Sequence, residues 1–177
     1  KPLIWGSILL SGPALVGALC ADGFTHYVLL AIGGVFVAGQ NERLDAAFAA
    51  QMAIDHTRCF ESSQLEPGQL SAVAVEAAFQ RDQGWSVAVP AVDELELQDA
   101  RHCEYAQGGM AHLMYRRDGR PVSLFVLPET VRRNRDLEIM WHDAVIWSEN
   151  NRTFVLVGQE GQAEMASVAA SIRGVSR

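Results

Sequence analysis

Two histidines and two cysteines are the side chains best suited to bind a metal ion together. His56 and Cys59 are three residues apart in the run DHTRCF, which places both on one face if that run is helical. Cys103 and His112 are nine residues apart in two neighbouring strand candidates, close enough to sit on adjacent strands. Two thiolates and two imidazoles would form a tetrahedral site suited to zinc, and copper(I) also favours the thiolates. The sequence therefore predicts a zinc or copper site at His56, Cys59, Cys103 and His112.

Two alternatives to metal binding stay open for the same cysteines. Cys59 and Cys103 would form a disulfide in an exported domain, because oxidising compartments favour disulfides. Either could instead be a small buried thiol. The third cysteine, Cys20, lies in an apolar segment and is not expected to do chemistry. His142 is expected to be an ordinary strand or loop histidine.

Known catalytic motifs do not occur in the sequence. It has no Gly-x-Ser-x-Gly, no His-Glu-x-x-His, no phosphate-binding loop and no dinucleotide-binding glycine pattern. A cysteine nucleophile with a histidine base can be assembled from Cys103 with His112 or His56, but only the residue types support it. The chain is therefore expected not to be an enzyme. Its net charge of -7 also argues against direct contact with nucleic acid.

An α+β domain is predicted to position the four candidate ligands. Helices over 42–60 and 69–82 lead into a strand-rich region, and a helix over 160–173 closes the chain. The strand candidates are 85–90, 95–98, 100–106, 111–117, 120–128, 142–148 and 152–158, with a loop or short helix over 129–140. Asp118-Gly119 and Glu149-Asn150-Asn151 separate alternating runs and predict two hairpins. The result is an antiparallel sheet of five or six strands flanked by helices, against which Trp85, Trp141 and Trp147 are expected to pack.

Residues 1–41 are expected to anchor the chain in a membrane, and residues 42–177 to form the domain outside it. The apolar blocks Leu3–Ala21 and Phe24–Gly39 contain 16 to 19 residues each, near the lower limit for crossing a bilayer. A single membrane helix over the second block is favoured. A two-helix hairpin, a cleaved secretory signal and a buried helical pair remain open. Lys1 weakly favours a cytoplasmic start and an exported C-terminal domain.

Two hairpin sequences resemble those of a known bacterial family. They read HLMYRRDGRPVSLFVLP and AVIWSENNRTFVLVG, and they follow an apolar segment and the run DHTRCF. Over roughly residues 24–175 the pattern resembles the extracytoplasmic domain of bacterial transmembrane anti-sigma factors, a family of transmembrane transcriptional regulators. The family's cytoplasmic zinc-associated motif, His-x-x-x-Cys-x-x-Cys, is not found in these 177 residues.

The resemblance implies a membrane-anchored regulatory or sensor domain that controls an extracytoplasmic-function sigma factor. It implies the bacterial inner membrane as the location, with the C-terminal domain in the periplasm. The expected partners are the membrane and a sigma factor or partner regulatory protein. The alternative is a periplasmic metal- or thiol-binding protein that uses His56, Cys59, Cys103 and His112.

Overall fold

A computed structural model describes residues 24–62, 70–105 and 108–175, with the backbone alone for 24–42. In these ranges the chain forms three helices and one six-stranded antiparallel sheet with the strand order β1-β2-β3-β6-β5-β4. The elements are α1 (Phe24–Ser62), α2 (Ala72–Gln83), β1 (Glu96–Tyr105), β2 (Gly108–Arg117), β3 (Arg120–Pro128), β4 (Arg135–Ile139), β5 (His142–Glu149), β6 (Arg152–Gly158) and α3 (Gln162–Val175). The predicted α+β class and antiparallel sheet are confirmed.

Helix α1 extends across the boundary between two compact units, Lys1–Phe48 and Ala49–Arg177. The sheet, α2 and α3 all belong to the second unit. The helix predicted over 42–60 is part of α1. Among the described residues, no helix is both long enough and apolar enough to cross a bilayer. The apolar block Leu3–Ala21, with Cys20, lies outside the described residues.

One face of the sheet carries the hydrophobic core. Leu113, Leu124 and Leu156 are fully buried there and pack in one cluster with apolar residues of α2 and α3. Helix α2 is capped at its start by Ser71, whose hydroxyl accepts a hydrogen bond from a backbone N–H three residues on, and at its end by Gly84, which has a φ of 73°. Both ends of α2 are therefore set by local capping residues.

The opposite face of the sheet lies against the C-terminal part of α1. Because side chains alternate along a strand, Ser123 and Phe125 point away from the Leu124 side. His112 of β2 is the register partner of Phe125 and shares this face. His56 of α1 hydrogen-bonds to Ser123, so the helix and the polar residues of the sheet meet here.

A bulge in β1 decides which of its side chains face α1. The two short strands predicted over 95–98 and 100–106 are one strand, with a register shift between Leu97 and Asp99. Leu97 and Ala100 both pack against the core although they are three positions apart, a spacing that puts side chains on opposite faces of a regular strand. The extra residue reverses the alternation, as a bulge does. Cys103 therefore faces α1, and His102 is turned to the other side.

Two predicted elements were wrong. The run over 85–90 is not a strand: Val87 and Val89 are buried in the core, but the backbone N–H of Val89 donates to the Glu76 carboxylate at 2.8 Å. The 129–140 segment is not only a loop, since it contains β4. The alternating pattern over 85–90 therefore reflects the burial of two valines in an extended segment that does not pair with a strand.

The described residues include three two-residue hairpin turns, which connect β2 to β3, β4 to β5 and β5 to β6. Asp118-Gly119 and Asn150-Asn151 have positive φ at both positions, which confirms the two predicted hairpins. The third turn was missed because its residues are Met140 and Trp141, with φ of 51° and 66°. Trp141 is 88% exposed at this turn, so the expectation that it packs against the sheet was wrong. Trp147 does pack there, stacked on Phe154 with ring centroids 5.2 Å apart.

Candidate metal centre

Three of the four predicted ligands converge where the end of α1 meets β1 and β2. Cys59 comes from the last turn of α1, Cys103 from β1 and His112 from β2. Their two sulfurs and one ring nitrogen all lie within 4.8 Å of one another. His112 is fully buried and both cysteines are half-buried. The cluster is a two-sulfur, one-nitrogen donor set that suits a thiophilic metal ion.

The β1–β2 register brings together residues that are distant in sequence. Arg101 lies opposite His112, and Cys103 lies opposite Met110. Cys103 and His112 are therefore diagonal neighbours on the same face of the sheet. The helix supplies Cys59 from above this face, 44 residues earlier in the chain. Strand pairing and helix packing are both needed to assemble the cluster.

The ring of His112 has one nitrogen engaged and one without a partner. Its Nε2 lies 2.7 Å from the Ser123 hydroxyl oxygen. Its Nδ1 is buried and has no hydrogen-bond partner in the described part of the chain. A buried nitrogen without a partner is costly, so native proteins seldom keep one. A metal ion bound at Nδ1 would satisfy it, while the Ser123 contact and stacking on Phe125 at 4.1 Å hold the ring.

His56, the fourth predicted ligand, is joined to the cluster through Ser123. Its Nδ1 lies 2.7 Å from the same serine oxygen that contacts His112. A serine hydroxyl has one proton and two lone pairs, so it can donate to only one of the two imidazoles. When His112 donates from Nε2, leaving Nδ1 free to bind a metal, the hydroxyl proton is available for donation to His56 Nδ1. Ser123 therefore couples the tautomers of the two histidines.

Burial keeps the ionisable groups of the cluster uncharged. It raises the pKa of the Cys103 thiol to about 11, with the neighbouring Cys59 as a further cause. Burial also raises the pKa of Cys59, against the opposing effect of the Arg101 guanidinium. At neutral pH both cysteines are therefore thiols, and a metal ion must displace their protons to bind.

Both histidines are neutral for the same reason. Burial lowers the pKa of His112 to about 3, helped by His56 and Arg101. Burial lowers the pKa of His56 to about 4, helped by His142. Neutral imidazole is the form that binds metal ions. The histidine is thus ready to bind, while each cysteine must first lose a proton.

A cleft opens beside His56 on the side of β5. His142 lies with its ring centroid 5.0 Å from that of His56. Its Nδ1 donates to the Met140 carbonyl at 2.8 Å, which leaves Nε2 as the acceptor facing the Gln159 amide at 3.3 Å. The cleft has a volume of about 270 Å³ and is lined by His56, Thr57, Phe60, Glu61, Pro121, His142 and Gln159.

Sequence reasoning missed Ser123, Arg101 and the role of His142. Ser123 gave a usable signal, because a serine in the middle of the apolar strand RPVSLFVLP must be buried and needs a partner. Arg101 gave none, since its position beside Cys59 depends on the bulge in β1. Its guanidinium pairs with Asp99 at 2.7 Å and donates to Ser62 of α1 at 3.0 Å.

Comparisons with family models, with curated proteins and with solved structures find no match for this chain. The resemblance to anti-sigma factor domains therefore rests on the two hairpin sequences and the segments before them, and it stays a prediction.

Proposed function

We propose that the second unit of this chain is a sensor domain that binds a thiophilic metal ion at Cys59, Cys103 and His112. We propose further that it belongs to a membrane-anchored regulator of the anti-sigma type. One observation carries the metal proposal: two sulfurs and one ring nitrogen of His112 converge within 4.8 Å. The Nδ1 of that ring is also buried without a hydrogen-bond partner among the described residues. These atoms come from three separate elements, so their convergence is a property of the folded domain.

Binding is favoured over catalysis by the state of the same groups. A nucleophilic cysteine needs a lowered pKa, whereas that of Cys103 is raised to about 11. A general base works best with a pKa near the working pH, whereas the pKa values of His112 and His56 lie near 3 and 4. A buried pair of thiols beside neutral imidazoles suits a ligand that brings its own positive charge.

The location of Cys59 suggests how binding would be reported. It lies in the last turn of α1, whereas Cys103 and His112 belong to the sheet. A bound ion would tie the end of the helix to the edge of the sheet, and loss of the ion would leave the His56–Ser123 hydrogen bond as a remaining polar tie. Because α1 is continuous from Phe24 to Ser62, a change at its end can reach its other end. The helix is the element that would carry the signal.

The proposals for membrane anchoring and for the binding partner rest on the sequence. The apolar segment over 1–41 supports a bacterial inner-membrane location with the domain in the periplasm. The family resemblance supports a sigma factor or a partner regulatory protein as the binding partner. Co-expression of the chain with sigma factors from the same genome, followed by affinity capture, tests the partner; capture of none of them contradicts the anti-sigma assignment.

The metal proposal is tested by titrating the 177-residue chain, kept in mild detergent, with zinc(II) and copper(I). We expect one ion per chain, and a loss of affinity of at least about tenfold for Cys59→Ser, because removal of a thiolate leaves two donors. Cys20→Ser is the matched control and should bind like the wild type, since Cys20 is outside the proposed site. Equal, negligible metal in all three proteins contradicts the proposal.

A reversible disulfide is the second candidate function of the same pair. Both cysteines are free thiols in the structure, and their sulfurs lie within 4.8 Å. Closing to the bond length of about 2.05 Å would release two protons and pass two electrons to an oxidant such as a partner disulfide. Mass spectrometry without reductant distinguishes the candidates: a 2-dalton loss that is absent from Cys59→Ser supports the disulfide, and an unchanged mass after treatment with oxidised glutathione contradicts it.

A further inference from the structure

A methionine lies directly beside the candidate metal centre. Met110 of β2 is the register partner of Cys103 in β1. It also precedes His112 by two residues on the same strand, so both side chains point to the same face. Met110 is fully buried. The Cβ atoms of directly opposite residues are the closest across a sheet, so the Met110 and Cys103 side chains leave the backbone side by side.

We infer that the centre is selective for copper(I), with the thioether sulfur of Met110 as an additional ligand beside Cys59, Cys103 and His112. The inference rests on the metal-binding function proposed above and names the ion. Thioether sulfur is a soft donor that favours copper(I). Zinc sites in proteins take thiolate, imidazole and carboxylate ligands, so a methionine adds nothing for zinc. Met110 therefore gives the site a preference for copper(I) over zinc that the other three ligands do not provide.

The surroundings of the three converging donors favour the same ion. Structural zinc is almost always four-coordinate, and catalytic zinc completes its shell with water. Here the neighbour of His112 on the Cys103 side of the face is Met110, which is fully buried. On that side the site offers a thioether sulfur where zinc would need water or a fourth thiolate, imidazole or carboxylate ligand.

Met114 is a matched control for Met110. It lies on the same strand and the same face, two residues after His112, and is also fully buried. Its register partners are Asp99 and Ser123 and not a cysteine. Replacing either methionine by leucine keeps the volume nearly constant, so both variants should fold. Only Met110→Leu removes the soft ligand beside Cys103.

The experiment compares the two variants with the wild type in competition against a copper(I) chelator, bathocuproine disulfonate, and separately against a zinc chelator. We expect Met110→Leu to lower copper(I) affinity by about tenfold or more, with zinc affinity changed by less than about twofold. Met114→Leu should leave both affinities unchanged. X-ray absorption of the copper(I)-loaded protein made with selenomethionine gives a second readout, since a copper–selenium contact is expected in the wild type and absent from Met110→Leu.

The outcomes separate this inference from the function on which it rests. If copper(I) binds and depends on Cys59, but Met110→Leu and Met114→Leu behave alike and no copper–selenium contact is seen, the inference is overturned and the metal-binding function stands. If the wild-type chain binds neither copper(I) nor zinc, both fail. The selenium readout needs no substitution of Met110, so poor folding of one variant leaves the test intact.

Discussion

Replacing Ser123 by alanine is the sharpest test of the polar connection between α1 and the sheet. The serine is fully buried, and its hydroxyl oxygen lies 2.7 Å from His56 Nδ1 and 2.7 Å from His112 Nε2. The substitution removes one oxygen and changes little else in the core. It leaves two buried imidazole nitrogens without their partner.

The expected cost follows from those two lost contacts. A buried polar atom left unsatisfied costs about 1–3 kcal/mol, and the truncation also removes a small packing contribution. His56 is 4% exposed and His112 is 0% exposed, so water cannot easily replace the hydroxyl at either ring. We expect the free energy of unfolding of the metal-free chain to fall by about 2–4 kcal/mol.

Urea unfolding followed by tryptophan fluorescence measures this change. Ser86→Ala is the control, because Ser86 is an exposed serine with a hydrogen bond from Arg152 at 3.2 Å; its effect should stay within about 0.5 kcal/mol. In Ser123→Ala the tautomer of His112 is no longer fixed, so metal affinity should also fall by about tenfold. A Ser123→Ala protein as stable as the Ser86→Ala control would refute the reasoning.

Two further predictions concern pH and the third hairpin. The folded chain holds His56 and His112 neutral with pKa values of about 4 and 3, whereas the unfolded chain binds protons there near 6.5. Their contribution to stability is therefore complete only above about pH 6.5 and is lost as the pH falls, by roughly 4 kcal/mol in total between pH 7 and pH 5. A urea midpoint that does not change over this range contradicts the prediction. In the β4–β5 turn, Met140→Asn with Trp141→Gly should raise the free energy of unfolding by about 1–2 kcal/mol, because both native residues hold positive φ that asparagine and glycine adopt with less strain. An unchanged or lower thermal midpoint in the double variant would count against strain at these two residues.

The hairpins show how far local sequence determines the fold. Asp118-Gly119 and Asn150-Asn151 predicted their turns because these residue types adopt positive φ easily. Met140-Trp141 adopts the same backbone without that chemistry, so the β4–β5 hairpin gave no local signal. Pairing with β5 overrode the preference of the two turn residues. Tertiary contacts therefore decided the element that was predicted from the sequence as a loop or short helix.

For the candidate site, the sequence by itself determined which residue types were available and that Cys103 and His112 would lie on neighbouring strands. The tertiary structure decided which side chains meet. The bulge after Leu97 turns Cys103 toward α1, and helix packing brings Cys59 and His56 to the same face. Bulges and helix packing depend on contacts between residues far apart in the chain, and the spacing of residues along one segment cannot encode them.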